Sequence, residues 1–473
     1  MRIVVFGVMP HSPHFETQLE LMENHLLAGD NVSYVSCDRA LSHCDANPEN
    51  DHIFCRACEG KRSRGLGYLS RPVNVQKISF LLDASDAAGV AVEFPDLEAL
   101  TAYRVADYDC GEAVSSSLQS VARTIYPHLH DYRDYIARAM VSSVLLHAAA
   151  TRYLKQVRPD LVYIFNGRAA TARGLLRACQ GEKIRFYTHE RGSSIDSYML
   201  AENTVPHDVD YRGAEIRQHW AEKPNTAEKE EVAARFYANM RRGKLAYREA
   251  NYLKHQQSGC LPSYWTEGSE RIVFFSSTET ERAALKGFYQ RRIYTSLIDM
   301  VSRILVDLKK SGFKGVFVLR MHPNSHEEYA MMLPRLAELN PGEFFHVIPP
   351  SEKVDTYALL DSADKVLVAT STLGMEAAYA GVPCISLERS NYDKLGSTYS
   401  PATHEEVMAL LGQPLTPKDK LGAIMYGYYT LTFGYRFKRV TMQGQNKCSF
   451  NGKKVRSPKW LDWAMKLRKR LNG

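Results

Sequence analysis

Apolar positions along this chain fall into short continuous runs, separated by longer stretches with helical spacing. The run "RIVVFGV" (residues 2–8) predicts a strand, "FETQLELMENHLLAGD" a helix that stops at Gly29, and "NVSYVSCD" a second strand. That is the opening of a βαβ unit. An irregular Cys- and His-containing loop is expected over 37–64, and helical patterns dominate from about 112 to 157. "PDLVYIFNG" then predicts a strand, "RAATARGLLRACQG" a helix and "KIRFYTHERG" a strand. Residues 205–265 are charged and helical, with few strand signals. A second alternation starts near residue 268, with strands at "RIVFFSSTETE", "GVFVLRMHPN", "FFHVIPP", "KVLVATST" and "PCISL" separated by helices. Strands alternating with helices imply parallel sheets covered on both faces. The pattern predicts an α/β protein of two Rossmann-like domains with a helical C-terminal segment. The expected bounds are 1–265 (with the Cys-containing loop and helical insertions), 266–410 and 411–473.

Length agrees, because 473 residues exceed what one ordinary core accommodates. With 45% hydrophobic and 24% charged residues, a largely disordered chain is excluded. No apolar run approaches the ~20 residues a bilayer span requires, and "MRIVVFGVMPHSPHF" reads as a first strand, not a signal peptide. A cytoplasmic protein is expected. The net charge of +7 is concentrated in "NGKKVRSPKWLDWAMKLRKRLNG", while the rest is near balance. Without an RNP-like, zinc-finger or helix-turn-helix signature, no nucleic-acid partner is expected.

In open parallel sheets, ligands bind at the carboxyl ends of strands. Three polar clusters of the second unit fall there: "SSTE" with Ser277 and Thr278, "RMHPNSHEE" with Arg320, His322 and Pro323, and "TSTLGMEAA" with Ser371, Thr372, Gly374 and Glu376. Backbone N–H groups at a helix start, beside the Ser371 and Thr372 hydroxyls, suit a phosphate or diphosphate. Gly374 would let the backbone approach closely, and Glu376 in the first helical turn could accept from ribose hydroxyls. An ordinary Ser/Thr N-cap with a satisfied first-turn Glu has the same pattern.

"RMHPN" followed by "SADKVLVATSTLGMEAAYAGVPCISL" resembles the nucleotide-sugar half of GT-B glycosyltransferases. The likeness is to those of bacterial capsule and surface-polysaccharide biosynthesis, with polysialyltransferases and Kdo transferases more distant. It spans about 268–390 and is weaker in the N-terminal half. In that family a His-Pro motif and a Ser-Ser or Ser-Thr motif bind the donor nucleotide and its phosphate; His322-Pro323 and Ser371-Thr372 match them. Glu376 matches the acidic residue set against the donor ribose. The resemblance implies two domains facing a cleft, with a donor that is a CMP-, UDP-, GDP- or dTDP-sugar. The implied acceptor is a glycan or lipid-linked glycan of capsule or lipopolysaccharide, and no catalytic metal is required.

In the first unit, "YTHERGSS" ends a strand. Glu190 is the candidate general base for an acceptor hydroxyl, with His189 and His14 as alternatives; His11 also follows the first strand. Asn166, Arg168 and Arg191 are candidate acceptor contacts, although Glu190 and Arg191 could equally form a structural ion pair. "HVEAG"-type loops of nucleotide-sugar 2-epimerases look similar, so an epimerase on the same fold stays open, as does a non-catalytic nucleotide- or glycan-binding subunit. Nine cysteines without an export signal favour reduced thiols or a metal. Cys37, Cys44, Cys55 and Cys58, spaced C-x6-C-x10-C-x2-C, could hold a structural zinc or be buried thiols. Asp107-x-Asp109 and Asp208-x-Asp210 have the spacing of a metal-binding Asp-x-Asp, but neither follows an apolar strand. In "KWLDWAMKLRKRL", Trp460, Ala464, Leu467 and Leu471 share one helical face and Lys466 and Lys469 the other. Such a helix suits crossing back onto the first domain, or peripheral contact with an inner membrane.

Overall fold

The structure is a computed structural model that describes residues 1–8, 10–222, 225–244, 253, 255–277, 293–323, 325–338 and 342–457. The chain forms two compact units. The first takes Met1–His207 and the chain from Gly434 onward, and the second takes most of Asp208–Phe433.

The first unit is built on β1 (Arg2–Gly7), β2 (Asn31–Ser36), β3 (Asn74–Lys77), β4 (Leu161–Phe165), β5 (Phe186–Arg191) and β6 (Ser197–Glu202). The second contributes β7 (Arg271–Phe275), β8 (Val316–Arg320), β9 (Phe345–Ile348), β10 (Lys365–Val368) and β11 (Cys384–Ser386). In the first sheet β1 to β5 run parallel in the order β5-β4-β1-β2-β3, and β6 joins antiparallel outside β5. The second sheet repeats that order as β11-β10-β7-β8-β9, all parallel. Val4, Val5, Ile272 and Val273 are almost wholly enclosed, which is why these strands read as unbroken apolar runs. In both sheets the order reverses beside the first strand, between β1 and β4 and between β7 and β10. Such switch points open crevices at the carboxyl ends of the strands.

Three expectations change. The units divide between His207 and Asp208, not near residue 265. Helices Val209–Ala221 and Thr226–Arg241 pack with Leu421–Thr432 through Ile216, Phe236, Tyr237, Tyr426 and Tyr429. Tyr237 stacks on Tyr379 at 4.0 Å, and its hydroxyl donates to the Ala423 carbonyl at 2.6 Å. A charged surface pattern does not reveal which apolar face it will join.

Among the described residues of the expected helical segment over 411–473, the helix is Leu421–Thr432, within the second unit. From Gly434 the chain belongs to the first unit as strands β12 (Tyr435–Arg436), β13 (Val440–Gly444), β14 (Lys447–Phe450) and β15 (Lys453–Lys454). β12 pairs with β6, and β13-β14-β15 form a small antiparallel sheet. Val440, Cys448, Phe450 and Val455 enter the same core as Phe15 and Leu19. The helix expected at Trp460–Leu471 lies outside the described residues.

The Cys-containing loop is helical over His52–Leu66, with the Asp51 carboxylate capping the Ile53 N–H at 2.8 Å. Among the described residues no helix is long and apolar enough to cross a membrane.

Candidate functional site

At the switch point of the second sheet, a small pocket of about 70 Å³ is lined by Ser276, Arg320, His322, Pro323, Ser371, Thr372 and Glu376, with Tyr357 and Thr356 closing one side. Three separate strand ends supply these groups, and helix Leu373–Ala380 begins among them.

The Ser371 hydroxyl accepts from the Leu373 N–H at 3.3 Å, and the Ser371 carbonyl accepts from the Tyr392 hydroxyl at 2.6 Å. The helix start is thus ordered from both sides, and Thr372 at the N-cap makes no side-chain cap bond. Gly374 is required by packing: a Cβ there would lie 2.9 Å from both the Tyr392 hydroxyl and Val368 Cγ2. Close helix–strand contact, not ligand approach, accounts for that glycine.

Glu376 is 4% exposed. The Tyr357 hydroxyl donates to its Oε2 at 2.7 Å, and the Thr372 hydroxyl lies 3.4 Å from its Oε1. Burial pushes its carboxyl up to about 7 despite these bonds. Near neutral pH its protonated and ionised forms are therefore both populated. Tyr357 carries no motif of its own; it became visible only when helix Thr356–Ser362 packed beside Leu373–Ala380.

Burial, followed by the Arg320 charge, lowers the His322 pKa, so its imidazole is neutral at pH 7. Its backbone N–H is held by the Ser276 hydroxyl at 2.8 Å. Arg320 is 2% exposed and donates to the carbonyls of Pro349 (2.6 Å) and Glu352 (3.3 Å). Burial pushes its pKa down to about 10. It fastens the 349–352 loop beside the pocket instead of reaching into solvent. The Ser277 hydroxyl lies 3.5 Å from that of Thr370; Thr278 is outside the described residues.

The first unit gathers a second cluster at its own switch point. His14 begins the helix after β1, Asn166 follows β4, and Glu190 lies near the end of β5. His14 Nε2 is 3.5 Å from Glu190 Oε1, and the Asn166 amide donates to Glu190 Oε2 at 2.8 Å. Asn166 adopts φ +56°, which Asn tolerates better than most side chains, and its amide nitrogen is 3.3 Å from His207 Nε2. Arg168 lies half-buried in the same loop.

Glu190 and Arg191 do not form the ion pair that was one reading of the sequence. The Arg191 N–H donates to Glu190 Oε1 at 3.0 Å, while its guanidinium donates to the Gln445 carbonyl (2.9 Å) and Asn446 Oδ1 (2.8 Å) in the β13–β14 turn. No local signal linked position 191 to residues so far along the chain.

His14 is neutral: burial first, then Arg191, His11 and Lys61, push its pKa down to about 3. His189 is fully enclosed, and burial pushes it to about 3 as well. The Gln18 amide nitrogen donates to the Phe6 carbonyl (3.1 Å) and lies 3.3 Å from His189 Nε2, which leaves the ring proton on Nδ1. No substrate reaches His189 in this arrangement, so it supports the cluster from behind. A recess beside it is lined by His11, Ser12, Phe54, Lys61 and Asn446.

Among the described residues no three His, Cys, Asp or Glu side chains come together as a metal site, and Cys37, Cys44, Cys55 and Cys58 are all free thiols. The C-x2-C half lies on a helix instead of a turn, and the buried Arg62 guanidinium donates to the Gly7 (2.7 Å) and Cys37 carbonyls. Burial raises the Cys44, Cys55 and Cys58 thiols, the last to about 11.

No protein-family model matches the chain, and no curated protein sequence matches it. Among solved structures it is similar to the β-Kdo 2,4 transferase of Thermosulfurimonas dismutans KpsC, at 15% identity over 57% of this chain and 79% of that one, with a TM-score of 0.37. It is also similar to the UDP-GlcNAc 2-epimerase of Neisseria meningitidis, at 11% identity over 90% and 97% of the two chains and a TM-score of 0.31. The calicheamicin glycosyltransferase CalG4 gives 10% identity over 91% and 94%, with a TM-score of 0.28. Likenesses this slight do not decide an activity, which has to come from the site's own chemistry.

Proposed function

We propose that this protein is a glycosyltransferase that moves a sugar from a nucleotide-activated donor to a glycan or lipid-linked glycan of a bacterial surface polysaccharide. One observation carries the reading: two sheets of the same strand order each place a polar cluster at the switch point, and the clusters differ in chemistry. The second unit offers hydroxyls, a neutral imidazole, a helix start and a carboxyl near its titration point, which suit a nucleotide's phosphate and ribose. The first offers a carboxylate held by an amide and a backbone N–H beside a neutral histidine, which suits proton abstraction.

Glu190 takes the proton of the acceptor hydroxyl as its oxygen bonds to the anomeric carbon, while the bond from that carbon to the phosphate oxygen breaks. Asn166 and the Arg191 N–H fix the carboxylate, and His14 accepts or donates a hydrogen bond without adding charge. The departing nucleotide phosphate is stabilised by the N-terminus of helix Leu373–Ala380, by the Ser371 and Thr372 hydroxyls and by the ring N–H of His322. This scheme assigns no role to a metal ion.

A thermal-shift screen with CMP, UDP, GDP and dTDP, followed by product analysis of the matching sugar donor, tests the reading. One nucleotide should raise the apparent stability, and the donor should be consumed only with a glycan acceptor. Consumption without acceptor to an epimerised sugar would establish the 2-epimerase instead, and nucleotide binding without turnover a binding subunit.

A further inference from the structure

Charge is divided unevenly along this chain. Residues 434–473 hold twelve lysines and arginines against Asp462 alone, a net +11 in a chain whose total is +7, so the residues before them carry −4. The described part of that stretch, 434–457, contains no Asp or Glu. Asp196 pairs with Arg436, and Glu20 Oε1 lies 3.5 Å from Arg439. Lys447, Lys453, Lys454 and Arg456 are exposed, with no acidic partner among the described residues.

Tertiary structure gathers these cations. The small sheet turns Val440, Cys448 and Phe450 into the core, and β15, with Lys453 and Lys454, is its outer edge. The Lys453 ammonium lies 5.1 Å from the centre of the Tyr68 ring. Arg64, also exposed, donates to the carbonyls of Arg456 (3.1 Å) and Ser457 (3.4 Å), which sets its charge beside theirs. Unpaired like charges gathered along one sheet edge repel one another in the isolated protein, and an anionic partner relieves that repulsion.

We propose that this basic face docks the protein on an anionic phospholipid bilayer. Its cations are mostly flexible lysines spread along a sheet edge, an arrangement that fits the diffuse negative potential of a lipid surface. The turn of the same sheet, Gln445–Asn446, holds Arg191, so docking brings the membrane next to the Glu190 cluster, where a lipid-borne acceptor is presented. That last consequence rests on the proposed function; the docking does not.

The test is co-sedimentation of the full chain with vesicles of phosphatidylcholine alone and vesicles containing phosphatidylglycerol. Binding should need the anionic lipid and weaken with salt. A basic residue near such a surface strengthens partitioning about fivefold, so the combined Lys447→Gln, Lys453→Gln, Lys454→Gln and Arg456→Gln variant should bind roughly 10²- to 10³-fold more weakly. Its melting temperature should not fall. A matched control, Lys310→Gln with Lys314→Gln and Lys418→Gln, removes exposed charges from the second unit and should bind as the unaltered protein does. Equal binding by the quadruple variant, or no preference for anionic vesicles, overturns the proposal. Binding to dextran sulfate but not to vesicles also overturns it, and identifies an acidic polymer as the partner.

Discussion

His14 Nε2 lies 3.5 Å from Glu190 Oε1, yet the two do not form an ion pair. The carboxylate is close enough to favour an imidazolium, but burial, followed by the positive charge of Arg191 with smaller effects from His11 and Lys61, outweighs it. Glu190 therefore faces a neutral partner and is not quenched by an opposite charge.

Substituting Glu190→Gln keeps the side chain's size but removes the proton acceptor, and its single amide oxygen can accept only one of the two hydrogen bonds from Asn166 and the Arg191 N–H. Turnover should fall by about 10²- to 10⁴-fold, while nucleotide affinity, set by the second unit, stays constant. Initial rates and calorimetric titration of the same preparation check both; a normal rate would return the base role to His14.

His322→Ala and Ser371→Ala should each weaken nucleotide binding by roughly 1–3 kcal/mol, the worth of a hydrogen bond to a charged phosphate. Titration calorimetry of folded variants reads this directly. Unchanged affinity in both would remove the pocket from the donor site.

Acid should destabilise the first unit through its buried histidines. His14 and His189 have folded pKa values near 3 against an ordinary 6.5, so the unfolded chain binds more protons below 6.5. Their contribution to stability is complete above that pH and falls by about 1.4 kcal/mol per pH unit for each group as pH drops towards 3. Denaturant midpoints measured against pH should show a shallower slope for His14→Asn.

Glu376 predicts the opposite sign at the other end of the scale. Its folded pKa of about 7 exceeds the ordinary 4.5, so its neutral form is favoured by folding and stability is lost as pH rises through about 7. Glu376→Gln keeps the Tyr357 bond without an ionisable group. It should be more stable than the unaltered protein at about pH 8, by on the order of 3 kcal/mol, and equal to it below about pH 4.5. Identical pH profiles would refute this assignment.

Arg62→Met should cost about 2–4 kcal/mol, because two buried strand-end carbonyls lose their donors, whereas a chelator should leave the melting temperature unchanged. Loss of stability on chelation would restore zinc to the cysteine loop.

By itself, the sequence determined the parallel strands and where their polar ends lie. Runs such as Arg2–Gly7, Arg271–Phe275 and Lys365–Val368 are apolar on both faces because helices cover both, and that pattern is local. The His322, Ser371 and Glu376 positions were readable for the same reason, since each directly follows a strand or opens a helix. Only the tertiary structure decided what depends on contacts distant along the chain. It turned Arg191 towards Asn446 and placed Tyr357 on Glu376. It set the Arg62 guanidinium on the Gly7 carbonyl, and moved 208–265 into the second unit. Spacing encodes which face a segment buries; which partner fills that face is set by packing, and a buried group's charge by the dielectric and neighbours it meets there.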